Sequence, residues 1–307
     1  MRAGINALTV AFVVGVLAGL VLTPDGRAWL RHPTLMLGGS ANASAPASVA
    51  AEVAPPPAPL VAARPTVTPL TTRMAQGQLR IGVFGDSMAD GLWAALYRDL
   101  NSIAGVSVTK FSEVSTGLSR YDYVDIQAKT ARQLDEQPMD VAVILFGTND
   151  AQGISLDGEV YPFGTDGWKT AYAQRVDDLV ALLRSRDVAV YWVGLPRMKR
   201  ESFDARMSLI NGVVAARMAA LDVPYIDTVA LTANDAGGYE AYLPTDTGRR
   251  TLMRANDGIH MSMAGYLRIG DPVAATLKHD AGLDRPRPGA AGPGLVSGAT
   301  SPVSPAA

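Results

Sequence analysis

Val141-Ala142-Val143-Ile144-Leu145-Phe146 is an unbroken apolar run with no polar alternation. That is the pattern of a strand buried on both faces of a parallel sheet, because a sheet open to water on one side alternates apolar with polar residues. Its neighbours in sequence fit the same architecture. Residues 79–84, 106–111, 188–193 and 224–227 read as further strands, the last one short. Between them, apolar residues recur at helical spacing: Leu92, Trp93, Leu96 and Leu100; then Trp168, Ala171, Tyr172, Val176, Leu179, Val180 and Leu183; then Met207, Ile210, Val214 and Leu221. Ser262 is placed to cap one more helix, running to residue 278. Alternating strands and helices predict an α/β fold, a doubly wound, mainly parallel sheet with helices on both faces. Two hairpins interrupt the alternation, one at residues 154–163 around Asp157-Gly158 and one at residues 239–254 around Thr245-Asp246-Thr247-Gly248. Both adjoin motif loops, so they stand either as walls of a cleft or as ribbons capping the sheet edge.

The two ends of the 307-residue chain have a different character. Residues 5–22 are apolar except for Asn6 and Thr9, with Arg2 ahead of them, as suits a membrane-targeting segment. No small-x-small cleavage site follows closely, which favours an uncleaved anchor over a signal peptide and leaves secretion as the alternative. Residues 38–70 are dominated by Ala, Pro, Ser and Val, including Pro55-Pro56-Pro57-Ala58-Pro59, and cannot bury a core. The expected organisation is a membrane or signal segment at 1–30, an Ala/Pro-rich linker at 31–78, a folded α/β domain at 79–280 and a disordered tail at 281–307. Net charge is −2 with no Lys/Arg block, so nucleic acid is not an expected partner. There are no cysteines and 3 histidines, which excludes thiolate chemistry and leaves too few ligands for a usual zinc site. No metal or organic cofactor is expected.

Four short segments carry the chemistry: Gly85-Asp86-Ser87-Met88, Ser115-Thr116-Gly117-Leu118, Gly147-Thr148-Asn149-Asp150 and Asp257-Gly258-Ile259-His260. Ser87, Gly117 and Asn149 each follow a predicted strand, at the sheet edge where open α/β sheets bind ligands. A serine hydroxyl needs a base to become a nucleophile. His32 and His279 adjoin no motif, which leaves His260, with Asp257 three residues before it to orient the ring. Asp86 reads as a helix cap and Asp150 is ambiguous. Arg197, Lys199, Arg200 and Arg206 follow the strand at 188–193 and begin at the same edge; a solvated loop is their default reading, an anionic substrate the sharper one.

In order and spacing these blocks resemble the GDSL/SGNH hydrolases, over residues 79–280, with Met88 where that family often has Leu. The resemblance implies a flavodoxin-like, three-layer α/β/α sandwich. It implies Ser87 as nucleophile, His260 and Asp257 as the other triad members, and the N–H groups of Ser87 and Gly117 with the Asn149 amide as oxyanion donors. Gly at position 117 would let its N–H turn inward without a Cβ clash. Arg197, Lys199 and Arg200 stand as substrate-binding candidates. The expected activity is a serine esterase, extracytoplasmic and tethered to the membrane, acting on an acylated small molecule, lipid or glycan of the cell envelope. Acyl transfer to an envelope glycan by the same site, and a catalytically silent glycan-binding scaffold, are the alternatives.

Overall fold

A computed structural model describes residues 67–284. The segment expected as an anchor, most of the expected linker and most of the expected tail lie outside the described residues. The last stretch of the expected linker is part of the domain: helix α1 (Leu70–Ala75) buries Leu70. Its Arg73 donates to Asp140 at 2.5 Å and reaches Asp187 at 2.7 Å. Pro69 directly precedes this helix, so the Ala/Pro-rich composition runs up to its start, and the two ion pairs hold the helix in the domain. Among the described residues no helix is long and apolar enough to cross a membrane.

Five parallel strands form the sheet: β1 (Leu79–Gly85), β2 (Val106–Lys110), β3 (Val141–Leu145), β6 (Ala189–Val193) and β7 (Tyr225–Ile226), in the order β2-β1-β3-β6-β7. Every residue of β3 is buried, as its apolar run requires, whereas the edge strand β2 alternates. The helices are α2 (Ser87–Leu100), α3 (Ile126–Glu136), α4 (Asp166–Ser185), α5 (Glu201–Leu221), the short α6 (Val229–Thr232) and α7 (Met263–Asp280). They fall into two packed sets, α2 with α7 and α4 with α3 and α5, which flank the sheet as a three-layer sandwich. Trp168, Tyr172 and Trp192 are the largest apolar side chains in the core, the first two stacked at 4.7 Å.

The chain leaves β1 toward β2 on one side and returns to β3 on the other. The carboxyl ends of β1 and β3 therefore form the switch point at which such a sheet opens a crevice. Gly85 pairs with Leu145 in register, so the turns carrying Ser87 and Asn149 leave the sheet side by side. The two hairpins are present as β4 (Ile154–Leu156) with β5 (Glu159–Tyr161), and β8 (Tyr242–Pro244) with β9 (Arg250–Leu252). Asp157 and Gly158 both take positive φ, the geometry of a tight two-residue turn.

Candidate active site

Ser87 is the first residue of α2. Asp86 caps that helix, accepting the Met88 N–H at 2.9 Å with one carboxylate oxygen. Its other oxygen crosses to the neighbouring turn, accepting from the Thr148 hydroxyl at 2.7 Å, the Thr148 N–H at 3.1 Å and the Gly147 N–H at 3.3 Å. Asp86 is thus both the expected cap and a clamp between the Ser87 and Asn149 turns. Complete burial pushes its carboxyl up to about 6, against these hydrogen bonds, which hold it down.

Asp150 does the same for the third block. It accepts from the Ser119 N–H and hydroxyl, each at 2.8 Å, and from the Tyr172 hydroxyl at 2.9 Å. Burial raises its pKa, again opposed by the donors. A Cβ at position 117 would lie 2.2 Å from an Asp150 oxygen, so glycine is required there by the approach of this carboxylate. The Cβ clash that the expectation invoked is thus with this carboxylate. Asn149 donates its amide to the Thr116 carbonyl at 2.9 Å, which ties the second block to the third and fixes the plane of the amide. Its second amide hydrogen and the N–H groups of Ser87 and Gly117 donate to no described residue.

His260 sits on a loop closed by hydrogen bonds from the Ala255 N–H to the His260 carbonyl and from the Ser262 N–H to the Met253 carbonyl. Asp257 accepts the Ile259 and His260 N–H groups on one oxygen, at 2.9 and 3.0 Å, and faces His260 Nδ1 with the other at 2.7 Å. His260 Nε2 lies 2.7 Å from Ser87 Oγ. Partial burial pushes the Asp257 carboxyl up, but the hydrogen bonds from His260 and the backbone prevail and hold it below the usual range. Serine, imidazole and carboxylate, 173 residues apart in sequence at the widest, make one continuous relay.

Two buried arginines that the sequence reading did not single out support this geometry. Arg254, 1% exposed, donates to the carbonyls of Arg197, Gly258 and Ile259, and its guanidinium lies 5.2 Å from the Tyr239 ring. Arg175 donates to the Leu118 carbonyl at 2.6 Å and the Ser155 carbonyl at 3.0 Å, joining the Gly117 loop to the β4–β5 hairpin. Neither has a carboxylate partner among the described residues, and burial lowers both pKa values. Each holds the residue next to a site residue, Leu118 after Gly117 and Ile259 before His260. A single arginine carries no periodic signal, so only its position just before the fourth block marked Arg254.

The three substrate-binding candidates divide. Arg197 is engaged with Asp204 at 2.7 Å and is not available to a ligand. Lys199 and Arg200 line a cavity of about 450 Å³ together with Phe203, Asp257, Gly258 and Ile259. Neither hairpin contributes to it. The β4–β5 hairpin is held against α4 by Trp168, whose indole N–H donates to the Gln152 carbonyl at 2.7 Å. Arg206, the fourth cation of that stretch, donates to the Ala151 carbonyl at 3.1 Å.

The fold can be set beside known proteins. A GDSL-like lipase from Bacteroides thetaiotaomicron is 13% identical, with 68% of this chain and 95% of the other covered, at a TM-score of 0.45. TesA is 18% identical, with 66% and 99% covered, at 0.45. An alpha/beta hydrolase enzyme from the metagenome of Lake Arreo, Spain, is 16% identical, with 66% and 95% covered, at 0.47. No curated protein matches the sequence significantly. A family described as "Protein of unknown function (DUF459)" matches residues 80–276, more than half of the chain and all four site blocks, and to that family the chain belongs.

Proposed function

We propose that this protein is a serine esterase, held at a membrane, that removes an acyl group from a component of the cell envelope. The observation that carries the reading is the relay Ser87–His260–Asp257, with both of its contacts at 2.7 Å. As Ser87 Oγ attacks the ester carbonyl, its proton passes to His260 Nε2, and Asp257 stabilises the imidazolium that forms. The carbonyl oxygen becomes an anion. The Ser87 and Gly117 N–H groups and the second Asn149 amide hydrogen, which donate to no described residue, are suited to receive it. His260 then returns the proton to the departing oxygen, leaving the acyl group on Ser87. Water, deprotonated by the same imidazole, releases the acid and regenerates the serine. The location rests on the apolar segment at residues 5–22 and the Ala/Pro-rich stretch at residues 38–70.

A panel of p-nitrophenyl esters from acetyl upward tests the activity. Ser87→Ala and His260→Ala should each lower kcat by roughly 1,000-fold or more, with the double variant little worse than either, because the two residues act as a unit. Undiminished esterase activity in Ser87→Ala would overturn the assignment.

A further inference from the structure

The cavity beside Asp257 points to the chemistry of the substrate. Its two cations differ from the neighbouring arginines in being unspent: Lys199 and Arg200 are exposed and form no ion pair among the described residues. Arg197, Arg206 and Arg254 are each committed to a protein oxygen. Lys199 is nonetheless fixed in place. Its N–H donates to the Gly258 carbonyl at 3.1 Å, and its stem lies so close over Gly258 that a Cβ there would come within 2.4 Å of the Lys199 Cβ. Gly258 has a φ of 72°, so glycine is needed both for this backbone turn and for the lysine's passage. The Arg200 guanidinium lies 5.5 Å from the Phe203 ring. Asp257 also lines the cavity; one of its carboxylate oxygens accepts two backbone N–H groups and the other faces His260 Nδ1.

Position decides which half of an ester would reach these cations. Neither Ser87 nor His260 lines the cavity, whereas Asp257, which faces His260 Nδ1, and Ile259, the residue before His260, both do, so it opens on the imidazole's side of Ser87. In acyl transfer the imidazole hands its proton to the leaving oxygen, so the alcohol half departs on the imidazole's side of the site. Resting on the esterase reading, we propose that the cavity receives an anionic group, a phosphate, sulfate or carboxylate, borne by the alcohol half of the ester, with Lys199 and Arg200 as its partners and Phe203 as the apolar wall beside its carbon frame. The Ser87 oxygen–acyl bond forms as the bond from the acyl carbon to the alcohol oxygen breaks, and the alcohol leaves with its anion and with the proton from His260.

The test compares two acetyl esters of similar leaving-group reactivity, 4-acetoxybenzenesulfonate and the neutral 4-acetoxyacetophenone, on the full chain at low salt. The wild type should favour the sulfonate by about tenfold in kcat/KM, a modest instance of charge-assisted capture. In Lys199→Ala/Arg200→Ala that ratio should collapse to about one, since only the charge discriminates the two esters. Calorimetry with the product 4-hydroxybenzenesulfonate reads the cavity without chemistry, and the wild type should bind it where the double variant does not. An unchanged ratio overturns the proposal, as does phenolsulfonate that binds both proteins alike or neither. If no ester is hydrolysed at all, the esterase reading fails and the binding measurement alone decides the cavity.

Discussion

Ser87, His260 and Asp257 are easily named, but the side chains that hold them are aspartates and arginines whose partners are mostly backbone groups. Asp86 and Asp150 gather N–H and O–H donors from the Asn149 and Gly117 segments, while Arg175 and Arg254 gather carbonyls. A fully buried guanidinium with no carboxylate costs desolvation energy, so its retention beneath the His260 loop needs a compensating use. Arg254 is a positioning residue on this view: its bonds to the Gly258 and Ile259 carbonyls set the height of the loop from which His260 reaches Ser87. Arg254→Met should fold, yet lose about 10- to 100-fold in kcat, the scale of a displacement near 1 Å at the reacting centre. KM should change less, and the acid limb of the pH profile should move with the altered His260–Asp257 contact. A variant that loses only thermal stability, with kcat and pH profile unchanged, would reduce Arg254 to a packing role.

At the scale of elements, strands β1, β3 and β6 and the large helices α2, α4, α5 and α7 were legible because each buries a nearly continuous run or a helical stripe, and the edge strands β2 and β7 because short apolar-rich segments mark them. Helix α3 was not. It buries only Ile126, Thr130 and Leu134, one residue per turn, and its clearest mark is the Asp125 side chain capping the Ala128 N–H at 3.0 Å. Helix α1 was hidden by the Ala/Pro-rich sequence before it, and its docking depends on a long-range charge cluster that no local pattern announces. Burial would push the Asp140 carboxyl up, but hydrogen bonds from Arg80 and the charges of Arg73 and Arg80 hold it below the usual range. A carboxylate depressed in the folded state stabilises the fold above the unfolded pKa, about 4, and loses that contribution as pH falls below it. Asp140→Asn should therefore be less stable than wild type at pH 7, and the gap should narrow as pH falls toward about 3, read from urea midpoints. Asp86, raised to about 6, tilts stability the opposite way but is common to both proteins and cancels in the difference. A gap independent of pH would show that the Arg73–Asp140–Arg80 cluster does not stabilise by charge.

For the molecule as a whole, the central question is reach. If residues 5–22 anchor the chain and residues 38–66 are an extended spacer, the full chain should sediment with membranes, resist high salt and dissolve in detergent. Limited proteolysis should cut ahead of α1, whose ion pairs protect residues 70–75, and the released piece should retain activity on small soluble esters because all four site blocks lie beyond the cut. A mature amino terminus near Ala43 in unproteolysed cells would mean that the segment is cleaved, and the tether would have to be abandoned. The measurement that bears most directly on the central claim is covalent labelling by a fluorophosphonate, which reacts only with an activated serine. The modified peptide should carry its label on Ser87, and labelling should be abolished in Ser87→Ala and strongly slowed in His260→Ala. Labelling of another serine, or labelling of Ser87 that proceeds at the wild-type rate without His260, would contradict the assignment of this relay as the source of activity.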